Sequence, residues 1–165
     1  MSQSNFCTEE TISHWKDFLA KAQADVFLNS GQNYFQWIFR ADKPTDELLS
    51  SFDKSYRCAH PSKPPDEYER IMLREFKRAV HHYQPHIPDE DDYLEWLALA
   101  RHYGMPCRLM DFTYSIYIAA YMALAGKSDD QDGIIWAINL EWLKKKTKER
   151  FPDLDIQDKK ASRIF

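Results

Sequence analysis

Residues 100–113 read ARHYGMPCRLMDFT, and this stretch gathers polar side chains around a single bend. Gly104 can adopt a positive φ angle, and Pro106 cannot continue a helix because it lacks a backbone N–H. The whole chain contains only four glycines, so a glycine placed two residues before a proline indicates a specific turn. We therefore expect a helix to end at Gly104, and residues 107–111 to leave the bend in an extended conformation.

Helical periodicity is present on both sides of this bend. An acidic group at 89–92 suits the start of the helix that leads into Gly104. After the bend, Ser115 can cap a helix over 116–125 that is nearly apolar all round and is therefore predicted to be buried. Two earlier helices are predicted, one from Thr8 to Ala24 and one from Asp66 to Tyr83. The apolar stripe of the second consists of Tyr68, Met72, Phe76, Ala79, Val80 and Tyr83.

Two segments have strand character. Residues 34–40 are aromatic and β-branched, and their alternation places Arg40 on the face opposite Phe39. Residues 134–138 form a continuous apolar run typical of an interior strand. The proline-rich segment 41–65 is predicted to be mostly loop. These patterns predict a helix-rich α+β single domain around a small mixed sheet, with residues 1–33 as an N-terminal helical segment packed on it.

Composition narrows the classes of protein further. The chain has 165 residues, a net charge of -4 and 44% hydrophobic residues, which suit one domain with one core. The charge gives no strong nucleic-acid signal, and no apolar run reaches the length of a membrane helix. Three widely spaced cysteines suit neither a disulfide framework nor zinc, and no metal site is expected. We expect a cytoplasmic protein.

Several polar residues are candidates for a binding site, and each also has a structural interpretation. His102, Arg108 and Asp111 lie around the bend, and Thr113 precedes a helix start whose free N–H groups suit an anion. Alternatively, Arg108 pairs with Asp111 to hold the turn, Asp111 or Thr113 only caps a helix, and His102 only interacts with a helix dipole. Arg40 at the end of its strand is open to the same two interpretations. Spacing does not decide between them.

The motifs resemble those of the FRG domain family, which is named for a Phe-Arg-Gly signature. Residues 39–41 read Phe-Arg-Ala where the family has that signature, so alanine replaces its glycine. Residues 102–113 are similar to the family's long central motif, and 132–133 and 161–165 also fit. The resemblance implies an FRG-like domain over 34–165. Family members usually continue into further strands, so this domain is expected to be truncated or completed by a protein partner.

The resemblance extends to function through the first motif of ADP-ribosyltransferases, in which a strand-borne arginine contacts the phosphates of NAD. It implies a fragment of that fold, an NAD cofactor, and a toxin, toxin–antitoxin or defence role. The implied catalytic residues are Arg40, His102 and Asp111, and the implied nucleotide-binding residues are Arg40, Tyr34, Tyr103, Arg108 and Thr113. Glu141 is a weak candidate for the carboxylate that such a transferase needs. The alternative is a non-enzymatic protein-interaction module whose polar cluster is structural.

Overall fold

The computed structural model describes residues 8–23, 36–44, 47–83, 85–128 and 131–152. Tyr34 and residues 161–165 lie outside these ranges, so the predictions made for them stay predictions. The described residues form six helices and two strands, which confirms the predicted helix-rich α+β class. In chain order these are α1 (Trp15–Ala22), β1 (Trp37–Asp42), α2 (Ser51–Ala59), α3 (Pro65–Val80), α4 (Tyr93–His102), α5 (Ile116–Leu124), β2 (Ile134–Asn139) and α6 (Leu140–Arg150).

The chain divides into two compact units. The first unit consists of Met1–Lys43 and Thr113–Leu143, and the second consists of Pro44–Phe112 and Lys144–Phe165. In the described residues, the first unit contains α1, both strands and α5, and the second contains α2, α3 and α4. The predicted boundary between 1–33 and 34–165 stays a prediction.

The first unit is built on an antiparallel pair of strands. Phe39 of β1 lies opposite Ala137 of β2, and Arg40 lies opposite Trp136. Because side chains alternate along a strand, Arg40 and Trp136 share one face and Phe39 points to the other, where it is buried. The free edge of β1 is held at Phe39, whose N–H and C=O both bond to the backbone of Thr113, at 2.7 and 2.8 Å.

Helix α5 packs against this sheet through its small residues. Ser115 caps it as predicted, because its hydroxyl oxygen accepts a hydrogen bond from the Ile118 N–H at 3.3 Å. The buried residues of α5 are Ala119, Ala120 and Ala123, whereas its large apolar side chains between Tyr117 and Leu124 are exposed. The prediction of a helix buried all round is therefore wrong for the outer half.

Helix α1 adds to the core of the first unit by packing Phe18 and Ala22 against Ala120. It begins at Trp15 rather than near Thr8, so the predicted start is wrong. Glu10, which lies before the helix, forms an ion pair with Lys21 at its end.

The second unit contains a helix that the sequence analysis missed. Residues 51–59 were predicted to be loop because prolines crowd the segment, but these prolines flank α2 and do not interrupt it. Its start is fixed by a capping box, in which the Asp53 N–H donates to the Ser50 hydroxyl and the Ser50 N–H donates to the Asp53 carboxylate, each at 3.1 Å. The loop prediction is wrong here because the capping signal was overlooked.

Helices α3 and α4 form the core of the second unit. Its buried residues are Leu73, Val80, Trp96, Leu97, Ala100 and Cys107. Helix α3 matches the predicted element, but its buried positions are Glu69, Leu73 and Val80. The predicted stripe is therefore correct at Val80 and at Phe76, which packs against this core. It is wrong by one position in the first half of the helix, where Glu69 and Leu73 are buried instead of Tyr68 and Met72, and Tyr83 at its far end is 75% exposed.

The close approach of α5 to β2 predicts that Gly133 does not tolerate a side chain. A Cβ atom there would lie 2.7 Å from the backbone oxygen of Ala123, which has no flexible end to move away. We expect Gly133→Ala to lower the free energy of unfolding by about 2–3 kcal/mol, measured by denaturant titration. The control is Gly104→Ala, whose Cβ would meet nothing within 4 Å and which should cost only about 1 kcal/mol through its positive φ. An equal or smaller loss at Gly133 would contradict this packing.

Candidate functional site

The bend after α4 has the geometry predicted for Gly104. Its φ is 82°, and its N–H donates to the Arg101 carbonyl at 2.9 Å. The N–H of Met105 donates to the Ala100 carbonyl, also at 2.9 Å. These two bonds form a Schellman motif, which satisfies the last carbonyls of the helix and fixes the direction of the exit.

Two aromatic rings lie at the end of this helix and face solvent. Tyr103 is half exposed, and its ring centroid is 5.5 Å from that of His102 in an edge-on arrangement. On its other side, the Tyr103 ring packs at 6.1 Å against Phe76 of α3. The Schellman turn therefore presents an accessible imidazole and phenol next to each other.

Beyond Pro106, the chain is fastened to the start of α2. Cys107 is fully buried, and its N–H donates to the Ser51 hydroxyl at 3.1 Å. The Ser51 hydroxyl and the Phe52 N–H both donate to the Cys107 carbonyl, at 3.1 and 3.2 Å. This segment therefore pairs with the end of a helix and is not part of a strand.

Arg108 is held by two carboxylates of α3. Its Nε lies 2.9 Å from Glu69 Oε2, and its Nη2 lies 2.7 Å from Asp66 Oδ1. The guanidinium also stacks 5.0 Å above the ring of Phe52. Burial alone lowers the pKa of Arg108, but the two carboxylates outweigh it and raise that pKa. The interpretation in which Arg108 pairs with Asp111 is thus wrong, because Arg108 pairs with the carboxylates of α3 instead.

Glu69 is the most buried charged group of this cluster, with 3% of its surface exposed. Its Oε2 also accepts a hydrogen bond from the Tyr93 hydroxyl at 3.4 Å, whereas Oε1 has no hydrogen-bond partner in the described part of the chain. Burial, followed by the negative charge of Glu69, raises the pKa of Tyr93 to about 12. Glu69 was not predicted from the sequence, because charged residues are rarely buried unless they are paired.

Asp111 lies on the outside of the bend, with its side chain 71% exposed. It forms an ion pair with Arg101, whose Nη1 also donates to the Leu109 carbonyl at 2.8 Å. Arg101 therefore spans the bend from its helical side to its exit. It was not among the predicted residues, although its place one turn before Gly104 was a usable signal.

A second polar cluster lies in the first unit, on the sheet face that carries Arg40. The Nε of Arg40 and the Oδ2 of Asp42 are both buried and lie 3.7 Å apart. The indole Nε1 of Trp136, directly opposite Arg40, is buried and has no hydrogen-bond partner among the described residues. Asp42 and Trp136 were missed, although the two-residue spacing from Arg40 to Asp42 places both on one strand face.

The predicted site residues divide between the two units. Arg40 and Thr113 belong to the first unit, and the hydroxyl of Thr113 accepts a hydrogen bond from the Ser115 N–H at 3.1 Å. The others with described positions belong to the second unit, namely His102, Tyr103, Arg108 and Asp111. A groove of ≈ 380 Å³ in the second unit contains none of them and is lined by His86, Ile87, Pro88, Glu95, Ala98 and Leu99.

Two further features bear on the kind of site. Within the described ranges, no group of three or more His, Cys, Asp or Glu residues could hold a metal ion. None of the helices in the part of the chain that the structure describes is long and apolar enough to cross a membrane.

Comparison with known proteins connects these clusters to a family. The family model of the FRG domain matches residues 35–132, more than half of the chain. The chain belongs to the FRG domain family. No curated protein and no solved structure matches it. The matched region of this FRG domain includes Arg40 on β1 and the whole Schellman bend, so both polar clusters lie largely within the family region.

The pairing of Arg108 with Glu69 predicts a large loss of stability when only one partner is removed. We expect Arg108→Met to lower the free energy of unfolding by about 2–3 kcal/mol, somewhat less than for a fully buried pair, because it leaves the Glu69 charge uncompensated. The double variant Arg108→Met/Glu69→Leu should recover most of that loss, measured by denaturant titration. Asp66→Asn, at an exposed partner, serves as the control and should change stability by less than about 0.5 kcal/mol. A double variant as unstable as the single one would contradict this assignment.

The raised pKa of Tyr93 predicts a loss of stability at alkaline pH. The folded FRG domain keeps the phenol proton up to about pH 12, whereas the unfolded chain releases it near pH 10. The contribution of the Tyr93 phenol to the free energy of unfolding is therefore fully present below pH 10. It declines as the pH rises toward 12, because the unfolded state then binds fewer protons than the folded state. Denaturant titrations across this range should show a smaller decline for Tyr93→Phe than for wild type. Identical slopes would contradict a raised pKa of Tyr93 in the folded domain.

Proposed function

We propose that this FRG domain binds a nucleotide of the NAD type on the sheet face that carries Arg40. The observation that carries the proposal is the buried indole N–H of Trp136, which lies opposite Arg40 and has no hydrogen-bond partner among the residues described. A buried donor left unsatisfied costs about 1–3 kcal/mol. A ligand that supplies an acceptor oxygen at this position removes that cost, so the free protein favours such a ligand.

The neighbouring groups favour a sugar phosphate over a bare anion. The guanidinium of Arg40 keeps 17% exposure of its side chain, and a phosphate can accept two parallel hydrogen bonds from such a fork. The carboxylate of Asp42 lies beside it and repels a free phosphate, but it accepts hydrogen bonds from ribose hydroxyls. Arg40, Asp42 and Trp136 together therefore match a ribose attached to a phosphate, which NAD contains.

Other parts of the proposal rest on the resemblance to ADP-ribosyltransferases. Stacking of a ligand ring on Tyr34 or Tyr103, and catalytic roles for His102 and Asp111, remain predictions. Transfer would break the bond between the ribose and nicotinamide, and the acceptor nucleophile would give up its proton as it takes the ADP-ribose. Release of nicotinamide from NAD is the product to measure, and a toxin or defence role depends on finding it.

Calorimetric titration with NAD tests the binding proposal. We expect wild type to bind, Trp136→Phe to bind up to about tenfold more weakly because it loses one hydrogen bond, and Arg40→Gln to lose at least about tenfold. Arg57→Gln is the control, because Arg57 is an exposed arginine of α2 that pairs with Glu47. Inorganic phosphate should bind more weakly than NAD.

The same titration can also contradict the binding proposal. Absence of heat with NAD for folded wild type, or equal affinity of wild type and both variants, contradicts the proposal. Equal affinity for NAD and inorganic phosphate contradicts the role given to Asp42. Melting temperatures of all variants show whether a lost signal reflects lost folding.

A second candidate function is a protein-interaction module whose polar cluster is structural. The observation that favours it is the pairing of Arg108 with buried Glu69 and exposed Asp66, which occupies the Nε and Nη2 atoms of its guanidinium. In that case Arg40→Gln lowers the melting temperature and changes no nucleotide binding, because there is none to change. A variant that folds normally but loses NAD binding contradicts this second candidate.

A further inference from the structure

Helix α5 distributes its side chains by size in the opposite way to a surface helix. Its small residues Ala119, Ala120 and Ala123 are buried, and its large apolar residues between Tyr117 and Leu124 are exposed, whereas Ile116 packs against the core. The segment 112–126 that contains it has no charged residue at all. A helix with one face in water normally carries polar residues on that face, so the composition of α5 fits a helix packed on both sides.

The outer residues form one continuous stripe. With about 100° of rotation per residue, Tyr117, Ile118, Leu124 and Ala125 all fall within about 60° of Tyr121 around the helix axis. We call these five residues the outer stripe. Its centre is Tyr121, which is 74% exposed.

The exposed area is large for a protein on its own. The large apolar residues of α5 on this surface are each 42–74% exposed, namely Tyr117, Ile118, Tyr121, Met122 and Leu124. Together they present roughly 600 Å², given the surface that aromatic and aliphatic side chains carry. This is at the upper end of the largest apolar patch of a typical monomer, about 300–600 Å². It approaches the roughly 800 Å² that each partner buries in a stable interface.

We propose that the outer stripe binds a second copy of this chain, with the two α5 helices antiparallel across a two-fold axis at Tyr121. The outer stripe is complementary to itself in this arrangement. A residue before Tyr121 in one copy meets the residue equally far after Tyr121 in the other copy. Bulky Tyr117 then lies opposite small Ala125, and Ile118 lies opposite Leu124. The chain carries a net charge of -4, yet the stripe is uncharged, so pairing of two copies brings no like charges into contact.

The oligomeric state of the whole chain tests this proposal. We expect sedimentation velocity over a range of protein concentrations to show a monomer–dimer equilibrium for wild type. Tyr121→Glu should weaken the dimer by at least about tenfold, because each copy would bury an unpaired charge. Tyr83→Glu is the matched control, since Tyr83 is 75% exposed on the second unit and receives the same substitution. Its dimer should be as strong as that of wild type.

Disulfide trapping tests the predicted axis. In a background with Cys7→Ser and Cys58→Ser, Tyr121→Cys should form a covalent dimer on mild oxidation, because a residue on a two-fold axis meets its own copy. Tyr83→Cys should stay monomeric on a denaturing gel. Wild type that remains monomeric at its highest soluble concentration overturns the proposal. Dimers that resist Tyr121→Glu, or that Tyr121→Cys fails to trap, overturn the assigned surface. The proposal does not require nucleotide binding, so its failure does not contradict the NAD proposal.

Discussion

The ion pair between Arg108 and Glu69 is the constraint on which the second unit depends. Glu69 places a carboxylate in the interior of this unit, and a buried charge without a partner is strongly unfavourable. The Schellman turn at Gly104 and the hydrogen bonds between Cys107 and Ser51 position Arg108 so that its Nε lies 2.9 Å from the Glu69 carboxylate. In the described cluster, Arg108 is the cation that pairs with this charge. Arg108 thus joins the irregular segment after the bend to α3.

The first unit depends on small residues where α5 packs against the sheet. Three buried alanines and Gly133 let α5 approach the sheet closely, and Phe39 of β1 is buried as well. Strand alternation then requires Arg40 to point to the opposite face, together with Trp136. In this chain, the Phe-Arg pair thus combines a buried side chain with a cation on the opposite face of the strand.

The sequence predicted the local features of this FRG domain better than its long-range ones. Ser115 and Gly104 act as cap and turn because their roles depend on neighbouring backbone atoms. The pairing of Arg108 with Glu69 joins residues 39 positions apart, and nothing local distinguishes Glu69 from the exposed acids of α3. The candidate site shows the same limit: Arg40 was identified from its strand, but Trp136 required the register between two strands that lie nearly a hundred residues apart.

On each side of the sheet in the first unit, the described structure leaves groups that a binding partner could satisfy. On the face of Arg40, an indole N–H is buried without a hydrogen-bond partner in the described structure; on the other side, α5 covers the sheet but exposes large apolar residues. A sheet of two strands is marginally stable by itself, so whatever satisfies either side also stabilises the strands between them. Binding to either surface therefore reduces the freedom of the same element. For this reason, a ligand near Arg40 and a second copy on α5 are expected to favour each other without any contact between them.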